Sequence, residues 1–97
     1  MTIKWSNRAN QDFRRQAKWL AAHRGEPAVT HYFGEVTAAL DKLGKSSRVE
    51  YQLVDESTNI RKVRVGKQTD LYYRLAGDDL PLLTFFDTRQ DPGKLKL

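Results

Sequence analysis

The chain has 97 residues, of which 39% are hydrophobic, 30% charged and 10% aromatic; this suits one domain over residues 1–97, too apolar for disorder and too polar for a membrane protein. It has no cysteine, which excludes disulfide scaffolds, thiolate nucleophiles, iron–sulfur clusters and cysteine-containing zinc sites. Seventeen Lys and Arg against twelve Asp and Glu leave a formal charge of +5, enough to suit an anionic partner but not to identify one.

Residues 2–5 alternate in polarity and read as a short strand. Ser6 is a reasonable N-cap for a helix that carries Ala9, Phe13, Ala17, Leu20 and Ala21 at helical spacing. Gly25 is a natural stop, and Pro27 fits the first turn of a second helix, where its missing N–H is not needed. That helix packs Val29, Tyr32, Phe33, Val36, Ala39, Leu40 and Leu43 and is expected to end at Gly44. With one or two residues between them, the helices must form an antiparallel hairpin.

From Arg48 onward the period changes to two. Residues 51–54 and 59–65 read as strands, with Val63 and Val65 pointing one way and Lys62 and Arg64 the other. Residues 70–76 set Leu71, Tyr73 and Leu75 opposite Tyr72 and Arg74. Gly77, Asp78 and Asp79 form a hairpin turn, and residues 82–87 supply a last apolar strand. Pro81 is placed at that strand's entrance, because proline cannot donate to a ladder. Residues 89–97, with Pro92 and Gly93, read as a loop or a fraying end.

The expected fold class is α+β, in the order β-α-α-β-β-β(-β): a curved antiparallel sheet packed on an N-terminal helical hairpin. The helices should bury Val63, Val65, Leu71, Tyr73 and Leu75. Lys62, Arg64, Tyr72 and Arg74 then lie on the open face, where guanidinium and ammonium groups can neutralise phosphates and Tyr72 can stack on a base. The competing reading is an ordinary polar face turned to water.

Other chemistry is sparse. His23 and His31 are separated by a helix break, and His31 with Glu35 at i, i+4 supplies two metal ligands without a third. No metal or cofactor is expected. Ser6, Ser46, Ser47 and Ser57 sit in no nucleophile elbow, and Gly44 and Gly66 are isolated turn glycines. Without a signal block or a membrane-length apolar run, a cytoplasmic protein with no membrane partner is expected. The charge is unevenly placed: residues 1–48 hold nine basic and four acidic side chains, residues 49–97 eight of each. The surplus therefore belongs to the hairpin and its flanks, which suggests an acidic partner for the helices.

The opening IKWSNRANQDF, the segment IRKVRVGKQTDLYYRL at 60–75 and the ending LLTFFDTRQDPGKL at 82–95 occur in an order and spacing that resemble the RelE/ParE superfamily of toxins from type II toxin–antitoxin pairs. The apolar strand running into an Arg-Gln-Asp-Pro tail is the most specific piece and looks ParE-like. The resemblance implies a toxin neutralised by a cognate antitoxin that orders an often acidic segment on binding. It also implies one of two targets: DNA gyrase for ParE-like members, or mRNA in the ribosomal A site for RelE-like endoribonucleases.

For the cleaving branch, Lys62 and Arg64 match basic residues of the central hairpin, and Arg89 matches an arginine ending the last strand. A further family arginine falls near Asp70, and Leu95 lies where cleaving members place a tyrosine. Arg64, Arg74 and Arg89 would stabilise phosphate charge, but arginine is a poor proton shuttle. That leaves Tyr72 or Lys67 for proton transfer, so the sequence leans toward gyrase inhibition by protein binding, with mRNA cleavage as the alternative and a fold that has lost toxicity as a third reading. For the antitoxin, Arg14, Arg15, Lys18 and Trp19 on the hairpin are the first candidates, with Trp19 either an exposed anchor or a cap on the core beside Leu20. The open face around Arg64 and Tyr72 is the second, through an added strand or helix.

Overall fold

A computed structural model describes residues 1–45 and 52–97. The expected strand residue Tyr51, the start of the period change at Arg48, and Ser46 and Ser47 lie outside the described residues. Ser6 caps helix α1 (Asn7–Arg24) in extended conformation, its hydroxyl accepting from the Ala9 amide at 3.0 Å. The same hydroxyl donates to the Leu83 carbonyl at 3.2 Å, so the cap also ties the helix start to the sheet. Gly25, at φ 83°, ends α1 by donating its amide to the Leu20 carbonyl, a left-handed position that glycine takes without a Cβ penalty. Helix α2 (Glu26–Lys45) starts at the next residue. It runs through Gly44 instead of ending there, because Gly44 keeps ordinary helical backbone and offers no left-handed stop.

The strands are β1 (Thr2–Trp5), β2 (Gln52–Asp55), β3 (Ile60–Val65), β4 (Thr69–Arg74) and β5 (Asp79–Asp87). They lie in the order β1-β5-β4-β3-β2. Strands β2 to β5 form an antiparallel meander, but β1 pairs in parallel with β5, so the sheet is mixed where a wholly antiparallel one was expected. The helical hairpin is the crossover that a parallel pairing needs. Pro81 lies inside β5, opposite Lys4 of β1, and not at the strand's entrance. The paired register of β4 with β5 runs from Thr69↔Asp87 to Tyr73↔Leu82. Pro81 falls beyond it, where its missing donor removes no bond to β4.

The core joins Ala9 of α1 and Tyr32, Val36 and Leu43 of α2 to Val65, Leu71, Tyr73, Leu80, Leu82 and Phe85 of the sheet. Val65, Leu71 and Tyr73 are buried as the alternation predicts, while Val63 and Leu75 are half-buried against the same cluster. Leu71 and Leu82 are fully buried, each worth about 1.5–3 kcal/mol in transfer free energy.

Leu83 is the extra residue of a bulge between Tyr72↔Thr84 and Tyr73↔Leu82. Bulges re-aim side chains and disrupt the ladder. Here Thr84 donates its hydroxyl to the Asp12 carboxylate of α1, which also accepts the Phe85 amide at 3.2 Å. Asp12, which the pattern sets among the polar faces of α1, is thus a clamp between helix and sheet. The C-terminal residues are also tethered: a short 3-10 turn over Pro92–Lys94 is capped by Asp91, and Arg8 donates to the Lys96 carbonyl.

Candidate functional site

The three-residue turn 66–68 sets the register of β3 on β4, placing Arg64 opposite Asp70, Lys62 opposite Tyr72 and Ile60 opposite Arg74. These side chains share the face turned away from the helices, as the alternation predicts. They do not form an exposed basic and aromatic surface. Asp70 is only 6% exposed; it accepts from Arg64 Nε at 2.7 Å and lies 3.5 Å from Lys62 Nζ. Arg64 also donates to the Lys67 carbonyl at 3.0 Å.

Tyr72 is 5% exposed, with Lys62 Nζ 5.8 Å from the centre of its ring. The expectation that Tyr72 is open to stack on a base is therefore corrected: the ring is buried, with Lys62 beside it. Lys62 is half-buried, and Arg64 and Arg74 are exposed. A carboxylate between two cations leaves this face with far less free positive potential than its sequence suggests.

Arg89, beyond β5, is held by Asp87 through Nε–Oδ1 at 3.1 Å and Nη2–Oδ2 at 2.8 Å, and its amide donates to the same carboxylate at 2.9 Å. This fork holds the Asp87 carboxyl below the usual carboxylate range and pushes the guanidinium of Arg89 up. Arg89 does not join Arg64. It lines a groove on the helical side of the sheet.

That groove, of about 350 Å³, lies between the hairpin and the β3–β4 turn. Trp19, Leu20 and Arg24 of α1, His31, Tyr32 and Glu35 of α2, and Lys67 with its neighbours in the turn form its walls. Gly66 lets the turn close on α2: it sits at φ 66°, and a Cβ there would overlap the Glu35 carboxylate. His31 Nε2 lies 3.5 Å from Glu35 Oε1. Tyr32 is 6% exposed, and its hydroxyl is buried with no hydrogen-bond partner among the described residues. Such a group costs about 1–3 kcal/mol. Burial first, then the Asp12 and Glu35 charges, raise its pKa well above the usual value, so it stays protonated and able to donate.

Of the hairpin candidates, Arg14, Arg15 and Lys18 are exposed on α1, with Arg15 pairing to Asp12 at 3.3 Å. Trp19 is 42% exposed and stacks on His23 at 4.5 Å between ring centres, which places it on the surface and not over the core. No group of three or more His, Asp or Glu side chains among the described residues is placed to hold a metal ion. Sequence reasoning missed the Asp12 clamp, the Asp87 fork and the groove around Tyr32.

The family model described as "ParE toxin of type II toxin-antitoxin system, parDE" matches residues 3–92. No curated protein matches the chain in sequence. Among solved structures, the chromosomal ParDE toxin–antitoxin system from P. aeruginosa superposes with a TM-score of 0.75 at 13% identity, over 92% of this chain and 97% of that one. A copper-bound mutant toxin from Helicobacter pylori gives 0.64 at 14% identity, over 90% and 93%. The YoeB-YefM complex from Staphylococcus aureus gives 0.57 at 13%, over 88% and 93%. At such identities the likeness is one of fold.

Proposed function

We propose that this chain, which belongs to the ParE toxin family of type II toxin–antitoxin systems, acts by binding DNA gyrase and is held silent by its cognate antitoxin. The observation that carries the choice of target is Asp70, seated between Lys62 and Arg64 where an RNA-cleaving site would need free cations. RNA cleavage requires stabilised phosphate charge and a proton donor and acceptor. Arg64 is committed to Asp70 and Arg89 to Asp87. Tyr72, the nearest phenol, is covered, and no histidine or tyrosine follows Tyr73 in the chain. An inhibitor that works by protein contact needs none of that apparatus.

The alternative, a ribosome-dependent mRNA endoribonuclease, retains a foothold in Arg74, which is exposed on the same face. Both readings place the protein in the cytoplasm; no helix among the described residues is long and apolar enough to cross a membrane. Induced expression separates the two. A gyrase inhibitor triggers DNA-damage signalling while translation continues at first. Early A-site cuts in primer extension, without DNA damage, contradict the proposal.

A further inference from the structure

The flank of α2 that meets β1 carries a second, shallow groove of about 360 Å³, lined by Ile3 of β1 and by Thr37, Leu40, Asp41, Gly44 and Lys45 of α2. Toward the start of α2 the same flank continues into two exposed rings. Trp5 of β1 and Phe33 of α2 are 41% and 42% exposed, and both pack on Phe13, at 5.4 and 5.2 Å between ring centres. Ile3 and Trp5 share one face of β1, while Phe33, Thr37, Leu40 and Gly44 recur at helical spacing, so groove and rings form one strip. It runs beside the edge of the sheet, since β1 is the last strand in the order. Single exposed apolar side chains are ordinary, but a run of them beside a groove marks a contact surface.

Charge selects the occupant. The exposed positions of α2 between Pro27 and Ala38 hold no Asp, Glu, Lys or Arg, whereas the exposed face of α1 carries Arg8, Arg14, Arg15, Lys18 and Arg24. Copies of a chain with a charge of +5 repel one another across α1. The strip is where they can approach without that cost. Its bordering charges are Glu26 at the start of α2 and Asp41 and Lys45 near its end. Two acids and one base are a poor seat for an acidic peptide or for the repeated phosphates of a nucleic acid.

A second copy meets them well. When two α2 helices overlap fully in antiparallel, Glu26 of each faces Lys45 of the other, Thr30 faces Asp41, Phe33 faces Ala38 and Gly34 faces Thr37. Every contact then occurs twice, as a twofold interface requires. A Cβ added at Gly34 would meet no heavy atom within 4 Å, so this position is open to a neighbour. Small residues at the centre let helix axes close to about 8 Å.

We propose that this strip is a self-association surface on which a second copy of the chain packs its α2 antiparallel, each Phe33 against Thr37 and Ala38 of the other. The larger groove draws on different residues of α2, namely Ala28, His31, Tyr32 and Glu35. The proposal rests on neither the antitoxin nor the gyrase reading.

The test is sedimentation equilibrium of the full-length chain over a concentration series. The chain should pass from monomer to dimer with a Kd below about 1 mM. Phe33→Lys and Thr37→Lys should each raise that Kd about tenfold or more. Thr37 is exposed and makes no ring contact, so its variant keeps the test valid if Phe33→Lys weakens the fold. Glu26→Lys or Lys45→Glu alone should raise the Kd about threefold to tenfold, and both changes in one chain should restore it to within about twofold. A monomer at every concentration up to about 1 mM overturns the proposal. So does a dimer that Thr37→Lys leaves intact, or a double charge variant no tighter than the single ones. Loss of antitoxin affinity in Thr37→Lys, without self-association of the wild type, would overturn it by assigning the strip to a different protein.

Discussion

The two faces of the sheet carry similar side chains and treat them in opposite ways. On the open face, Lys62 and Arg64 close on Asp70, and Tyr72 is covered. On the helical side, Arg24 and Lys67 border a groove, Trp19 is exposed and Tyr32 keeps a buried hydroxyl with no hydrogen-bond partner among the described residues. The face that looked functional from composition has engaged Lys62 and Arg64 with its own acid, leaving Arg74 exposed. The side that looked like simple core support holds the unsatisfied groups. Unspent polar capacity marks an interaction surface better than the number of basic residues does.

Substitutions within β4 bear on this contrast most strongly. Leu71→Ala should lower unfolding free energy by about 2–5 kcal/mol in urea titration, as expected for a cavity at a fully buried site. Its neighbour Tyr72→Phe should cost less than about 1 kcal/mol. A cost for Tyr72→Phe close to that of Leu71→Ala would show that the Tyr72 hydroxyl, and not its buried ring alone, holds this face together.

Asp70→Asn is expected next in size, at about 1 kcal/mol, because solvent reaches Arg64 and screens its share of the ion pair. The more telling result is binding: freeing Lys62 and Arg64 should create measurable affinity for single-stranded RNA that falls as salt rises. If wild type and Asp70→Asn bind RNA alike, Asp70 does not silence this face.

The smallest effect concerns Asp87. Its folded pKa is depressed, first by the hydrogen bond from Arg89. The stability it contributes is therefore present above the unfolded carboxylate pKa of about 3.9 and lost as pH falls through the lower folded value. Asp87→Asn should flatten the acid limb of the stability–pH curve and leave stability near neutral pH only slightly reduced. An unchanged acid limb would mean that the fork with Arg89 does not hold in solution.

Much of this was legible in the residues. Ser6, Gly25 and Pro27 announce the helical hairpin through caps and a turn, and the alternation of Val63, Val65, Leu71 and Tyr73 identifies the buried face. The Arg64–Asp70 pairing was legible as well: a three-residue turn at 66–68 fixes the register, and counting outward across it places the two residues opposite each other. Reading each strand alone, with Lys62, Arg64, Tyr72 and Arg74 grouped by direction, overlooked the acid between them. The parallel placement of β1, the bulge at Leu83 and the Asp12 clamp were not legible. The first and last depend on contacts between residues 70 or more positions apart, and the bulge is a register shift between β4 and β5, none of which local periodicity encodes. The groove is likewise a product of packing, since Trp19, Tyr32 and Lys67 converge from three separate elements.

The central claim is that the protein inhibits gyrase by contact and has no RNA-cleaving face. Its most direct test is supercoiling of relaxed plasmid by purified gyrase, run beside primer extension on an mRNA translated in a reconstituted system, with wild type and the Lys62→Ala/Arg64→Ala double variant. The account predicts that wild type blocks supercoiling in proportion to its concentration, that the double variant still does so if it folds, and that neither cuts the mRNA. Unimpeded supercoiling together with A-site cleavage that disappears in the double variant would contradict it.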